Sequence, residues 1–177
     1  MTARCPPEEK SVMAIELVTG NITQQDDLEA VVNAANAQLM PGGGVAGAIH
    51  GAAGPELARA CRPLAPIEPG EAVITEAFEL PNRWVIHVLG PRYGIDEPAR
   101  ELLERGYRNA LNLCREHGIR SIGFPAISAG AFGYPLDDAA AIAVDAVSQY
   151  APEGLKVRFV LFDERTRKAF DRLLEKD

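Results

Sequence analysis

Short runs rich in Val, Ile and Phe alternate along this chain with longer stretches in which apolar residues recur every three or four positions. Residues 14–18, 29–32, 72–75, 84–89, 121–124 and 156–162 read as strands. Several of these runs are apolar without strict alternation, as strands covered on both faces are. Three helical patterns stand out, at residues 96–117, 137–150 and 163–174. In the first, Ala99, Leu102, Leu103, Tyr107, Ala110, Leu111 and Cys114 share one face, with Asp96 expected as N-cap and Gly118 as stop. In the second, Ala139, Ile142, Ala143, Ala146, Val147 and Tyr150 keep helical spacing. In the third, Asp163 is expected to cap a helix whose Thr166, Ala169, Phe170, Leu173 and Leu174 face inward. Two shorter helices are expected at residues 44–53 and 55–61.

Strands alternating with helices predict an α/β fold, a mostly parallel sheet with helices on both faces. Such sheets take their ligands beyond the carboxyl ends of the strands. A length of 177 residues fits one domain. Residues 1–12 read as a polar extension and residues 13–177 as a single folded unit. With 47 % apolar residues the chain is no disordered tail. No run approaches the roughly 20 apolar residues that span a bilayer, and the N-terminus lacks the apolar core of a secretory signal. Cys5, Cys61 and Cys114 are odd in number and widely spaced, which favours reduced thiols and a cytoplasmic location. With no CxxC pair and with His50, His87 and His117 far apart, no metal site is expected. A net charge of −7 disfavours nucleic acid. It leaves room for a small anion held by backbone N–H groups.

Three segments after predicted strands carry chemistry. In Val31-Val32-Asn33-Ala34-Ala35-Asn36, two asparagines leave a buried strand three residues apart. Their amides either brace the loop backbone or reach a ligand hydroxyl. In Pro41-Gly42-Gly43-Gly44-Val45-Ala46-Gly47, three glycines open a helix, so that N–H groups and the helix dipole can meet a diphosphate; a flexible loop is the alternative. Gly42 to Gly47 also match G-x-G-x-x-G, but about nine residues separate the match from the preceding strand, unlike a dinucleotide-binding turn. In Pro125-Ala126-Ile127-Ser128-Ala129-Gly130-Ala131-Phe132-Gly133, small residues again admit an anion, and Phe132 either lines a pocket or joins the core. Ser128 is not a nucleophile-elbow serine, because every histidine precedes it. His50 and His87 read as hydrogen-bonded core residues.

Together these segments resemble the macrodomain family, in particular its MacroD-type and viral branches. The resemblance runs from about Glu16 to Leu174 and includes Thr19-Gly20-Asn21-Ile22-Thr23, the Asn33–Asn36 segment, Gly42–His50, Ala53-Gly54-Pro55-Glu56-Leu57, Val85-Ile86-His87 with Gly90-Pro91, Phe124–Pro135 and Phe162-Asp163. It implies a three-layer α/β/α sandwich with a mixed, mostly parallel sheet. It also implies a monomer that binds ADP-ribose or ADP-ribosylated proteins, without a cofactor or a membrane. On this resemblance Asn21 meets the adenine amino group and the Ile22 backbone contacts the ring. Phe162 stacks on the adenine, and Asp163 sits near the proximal ribose. Gly42, Gly43, Gly44 and Val45, with Ala46 behind them, and Ser128, Ala129, Gly130, Ala131 and Phe132 clamp the diphosphate. Asn36 holds the distal ribose as a catalytic residue, supported by Asn33, and Phe132 packs beside that sugar.

Two departures matter. Asn21 stands where most relatives have Asp, and Ala46 stands where the MacroD-type hydrolases have an Asp thought to help activate water. Viral macrodomains with the same Gly-Gly-Gly-Val-Ala-Gly string still resemble hydrolases, whose water is oriented by the substrate's own phosphate. The expected activity is hydrolysis of mono-ADP-ribosyl esters on proteins, or of O-acetyl-ADP-ribose. The alternative is a reader of ADP-ribose without turnover.

Overall fold

The computed structural model describes residues 15–175. The polar extension expected at residues 1–12 lies outside them. Six strands form one sheet: β1 (Ile15–Thr19), β2 (Ala30–Ala34), β3 (Ala72–Glu76), β4 (Trp84–Val88), β5 (Ser121–Phe124) and β6 (Lys156–Leu161). Their order across the sheet is β1-β6-β5-β2-β4-β3. Every neighbouring pair is parallel except β3 with β4. Five helices cover it: α1 (Gly44–Ala53), α2 (Pro55–Cys61), α3 (Ala99–His117), α4 (Leu136–Tyr150) and α5 (Glu164–Glu175).

Each central strand feeds two cores, because successive side chains point to opposite faces. Val32, Ile86, Ile122 and Phe159 pack with α3, α4 and α5, around Tyr107, Phe124 and Phe170. Val31, Val85 and Val160 pack with α1 and α2, around Ile49, Leu57 and Cys61. This double burial explains the unbroken apolar runs. The result is the expected α/β/α sandwich.

Helix α3 starts at Ala99, with Pro98 as its extended N-cap, and not at the expected cap Asp96. The Asp96 carboxylate instead accepts from the Arg92 backbone N–H at 2.9 Å. Pro98 explains the shift. A proline disfavours helical backbone at the residue before it, so Glu97 cannot lie inside the helix. Gly118 stops α3 as expected, in the left-handed region at φ 64°. Asp163 caps α5 as expected, accepting from the Thr166 N–H at 2.9 Å.

The turn after β1 is held by a charged anchor that sequence spacing did not show. Arg158 on β6 has a side chain only 11 % exposed. It donates to Glu16 on β1 at 2.8 Å, to Gln25 at 2.9 Å, and to both Asp27 carboxylate oxygens at 2.8 and 2.7 Å. From the other side, Asn82 donates to the Gln25 and Leu28 carbonyls, both at 2.7 Å. The Arg158 guanidinium holds the Asp27 carboxyl well below the usual carboxylate range. Because the folded state depresses that value, the contribution is present above about pH 4, the unfolded value, and fades as pH falls below it. Arg158→Met should therefore lower stability by about 2 kcal/mol at pH 7, the scale of charged hydrogen bonds. The gap to the parent protein should narrow between about pH 4 and 2. Denaturant melts across that range measure it, and a gap that stays constant would refute the role of Asp27.

Candidate functional site

Topology brings the three chemistry-bearing segments together. β5 and β2 are adjacent and parallel, so the chain leaves both at the same sheet edge. β6 and β1 continue that edge on one side, and β4 continues it on the other. The cleft is therefore bordered, in order, by the turns after β1 and β6, the loops after β5 and β2, and the loop after β4.

At the middle of this edge the backbone is bare. Gly42, Gly43 and Gly44 are exposed. Gly43 is the N-cap of α1 and supplies no side-chain cap. The first N–H groups of α1 are thus open, with the positive end of the helix dipole behind them. Gly44 requires its lack of a side chain, since its φ is 59°. Gly47 requires the same for another reason, because a Cβ there would collide with the Gly42 carbonyl oxygen. Ala46 lies on the buried face of α1 and offers no acid or base.

Across from α1, the loop after β5 carries Ser128 at a left-handed φ of 68°. Such backbone is uncommon for a residue with a side chain and clusters at functional sites. Its hydroxyl donates to the Pro91 carbonyl at 2.8 Å, and its own carbonyl accepts from the Tyr134 N–H at 2.9 Å. Gly90 has no room for a Cβ, because Ser128 and Ile127 fill that space. The loops after β4 and β5 are thereby locked together. Ala129, Gly130 and Ala131 cross the top of the loop with small side chains. Phe132 is half-buried against the α1-side core, so it is neither a free wall nor a full core residue.

The two asparagines do different work. Asn33 does not leave its strand, contrary to expectation. Parallel pairing runs on through Asn33 with His87 and Ala34 with Val88, and this keeps Asn33 inside β2 and buried. Its Nδ2 donates to His87 Nδ1 at 3.1 Å. That partner sets the tautomer, so His87 Nε2–H donates to Thr75 Oγ1 at 3.0 Å, and that hydroxyl donates to the Glu76 carbonyl at 2.9 Å. Burial pushes the His87 imidazole down to about 3, so it stays neutral. Asn33 Oδ1 is buried without a partner. Asn36 sits in the loop, and its amide is largely spent on that loop. Nδ2 donates to the Met40 carbonyl at 2.8 Å, and Oδ1 accepts from the Met40 N–H at 3.0 Å. The second Nδ2 hydrogen has no partner among the described residues, and the amide lies beside Gly42.

His87 is the hydrogen-bonded core histidine expected of it. His50 is not, since it is buried but neither ring nitrogen has a partner. It lies one turn beyond Ala46 on the same face of α1, and burial lowers its imidazole below the ordinary value.

At the β1–β6 end, Phe162 follows its strand and is 89 % exposed, an open aromatic platform. Asp163 beside it is committed to capping α5. Ile22 is buried under the turn after β1. Asn21 caps the short turn of helix that follows β1. Its Oδ1 accepts from both the Thr23 N–H at 2.9 Å and the Thr23 hydroxyl at 2.7 Å. Both Oδ1 lone pairs are thus engaged within the turn.

Among the described residues, no three His, Cys, Asp or Glu side chains form a cluster that could hold a metal ion. Cys61 and Cys114 are buried free thiols, their values raised by burial to about 11 and about 12. No described helix is long and apolar enough to cross a membrane.

The comparisons agree with this geometry. The Macro domain model matches residues 32–143. The O-acetyl-ADP-ribose deacetylase of Enterobacter cloacae is 47 % identical, over 90 % of this chain and 93 % of its own. The solved Oceanobacillus iheyensis macrodomain with ADP is 41 % identical with a TM-score of 0.87, covering 92 % of this chain and 93 % of that one. The Trypanosoma brucei macrodomain in complex with ADP-ribose is 37 % identical with a TM-score of 0.84, over 90 % of this chain and 68 % of that one. A family model spanning most of the chain, relatives of such identity, and a shared fold with open backbone loops at the sheet edge lead to one conclusion: the chain belongs to the macrodomain family.

Proposed function

We propose that this protein binds ADP-ribose and hydrolyses esters on its distal ribose, either O-acetyl-ADP-ribose or mono-ADP-ribosyl groups on acidic side chains. The observation that carries the reading is the uncapped, glycine-opened start of α1 beside the small-residue loop after β5. Backbone N–H groups from both sides can hold a diphosphate without a lysine or arginine. The exposed Phe162 then meets the base, which leaves the distal ribose toward Asn36 and Phe132. In this reading Asn36 holds that sugar, Asn33 supports it from within β2, and Ala46 stands behind the glycine loop.

The chemistry is one of positioning. With Ala46 in place of an acid, and with His50 and His87 held toward the neutral state, the site supplies no carboxylate base. A substrate phosphate oxygen orients the water. For a side-chain ester, water bonds to the anomeric carbon, the carbon–oxygen bond to the carboxylate breaks, and the proton passes to solvent. For an acetyl ester, water supplies the hydroxyl that completes acetic acid, and the ribose oxygen takes the proton. Holding reactants in line can supply much of a rate enhancement. The buried free thiols fit the reducing cytosol as the protein's location. The second reading, a reader that binds without turnover, rests on Ala46 alone.

Titration calorimetry with ADP-ribose, followed by incubation with O-acetyl-ADP-ribose and with a glutamate-linked ADP-ribosyl protein, decides between the two. Binding with release of acetate or protein establishes the hydrolase, and binding without release establishes the reader. Asn36→Ala should cut turnover at least tenfold while changing ADP-ribose affinity less than threefold; equal losses in both would reject its catalytic role. Phe162→Ala should weaken ADP-ribose binding by about 1–3 kcal/mol through lost stacking, and unchanged affinity would reject the platform.

A further inference from the structure

The loop after β4 belongs to the cleft but has no part in the ADP-ribose site described above. It closes the edge at the end opposite Phe162, because β4 flanks β2 on the side away from β5. Its Tyr93 N–H donates to the Phe132 carbonyl at 2.8 Å, which fixes it against the loop after β5. The Tyr93 ring packs on Tyr134 with centroids 4.8 Å apart.

The loop is braced from within by polar bonds, yet it displays apolar side chains. The Arg92 guanidinium makes two bonds to the Asp96 carboxylate, both at 3.0 Å. The Ile95 and Asp96 N–H groups both return to the Arg92 carbonyl, at 3.0 and 2.9 Å. On this frame Tyr93 is 48 % exposed and Ile95 is 65 % exposed. Two large side chains thus stand exposed on a loop held by several hydrogen bonds, a shelf ordered before any ligand arrives.

We infer that this shelf, Tyr93 with Ile95 beside Phe132, is the subsite for the group esterified to the distal ribose, and that it favours an aliphatic acyl chain. The inference rests on the reading of the cleft as an ADP-ribose site. Base platform, anion loops and amide-lined sugar end follow in order along the edge, so whatever extends beyond the sugar meets the loop after β4. On the loop itself Arg92 is already paired with Asp96, and what it leaves exposed beside that pair is the largely apolar surface of Tyr93 and Ile95. Methylene groups laid on Tyr93 and Ile95 gain by leaving water. The substrate class is thus O-acyl-ADP-ribose with chains longer than acetyl.

The test is displacement of bound ADP-ribose by O-acetyl- and O-butyryl-ADP-ribose, with initial hydrolysis rates where turnover occurs. The butyryl ester should bind about threefold to tenfold more tightly than the acetyl ester, the gain from partly covering two methylenes. Ile95→Ser, a change at an exposed position, should remove most of that preference and leave ADP-ribose affinity within twofold. Tyr93→Ser should do the same and serves as the second variant. Equal affinity for both esters in the parent protein, a preference that survives both substitutions, or tighter binding of a glutamate-linked ADP-ribosyl peptide would each overturn the inference. If ADP-ribose binds but chain length has no effect, the shelf alone is rejected. If ADP-ribose does not bind, the reading of the cleft falls and the shelf with it.

Discussion

Strand β2 is held by parallel partners on both sides, β5 and β4, and the rest of the cleft depends on that pairing. It carries Asn33 inside the sheet to face His87, at a depth where an amide must find a partner. It also fixes where the chain is released. Asn36 then locks onto the Met40 backbone, and the glycines turn back to begin α1. One strand displaced by one residue would turn Asn33 to the opposite face and move the start of α1 along the edge. The placement of an anion site is therefore a matter of sheet register before it is a matter of side chains.

The same design reconciles an acidic protein with an anionic ligand. Net charge acts at long range and is screened within about 10 Å at moderate salt. Open N–H groups at a helix start act at contact distance and remain when the surrounding surface is negative. Arg158 with Glu16 and Asp27 braces the turn after β1, and Arg92 with Asp96 braces the loop after β4, while the glycine loop and the loop after β5 present backbone.

Much of the fold was legible from period and punctuation. The strands fell within two residues of their places, because doubly covered strands leave unbroken apolar runs, and α1 was legible from its opening glycines. The misses share a cause, since each turns on a hydrogen bond whose partner periodicity does not reveal. Asp96 sits in a good capping position, but Pro98 moves the helix start and Arg92 takes the carboxylate. His50 has a core histidine's surroundings without a partner for its ring. The Arg158 anchor joins residues more than a hundred positions apart, beyond the reach of any local period.

Recognition through main chain has a consequence for inhibition. A compound that imitates the diphosphate would be held by groups that every amino acid except proline carries. Substituting a side chain in the glycine loop does not delete those donors. It can only crowd them, and Gly44 and Gly47 already forbid most crowding that leaves the loop in shape. Resistance to such a compound would have to come by reshaping backbone that the natural ligand also needs. A drug directed at the loops would thus face a narrower escape route than one directed at Phe162 or the shelf beyond β4, where single side chains do the holding.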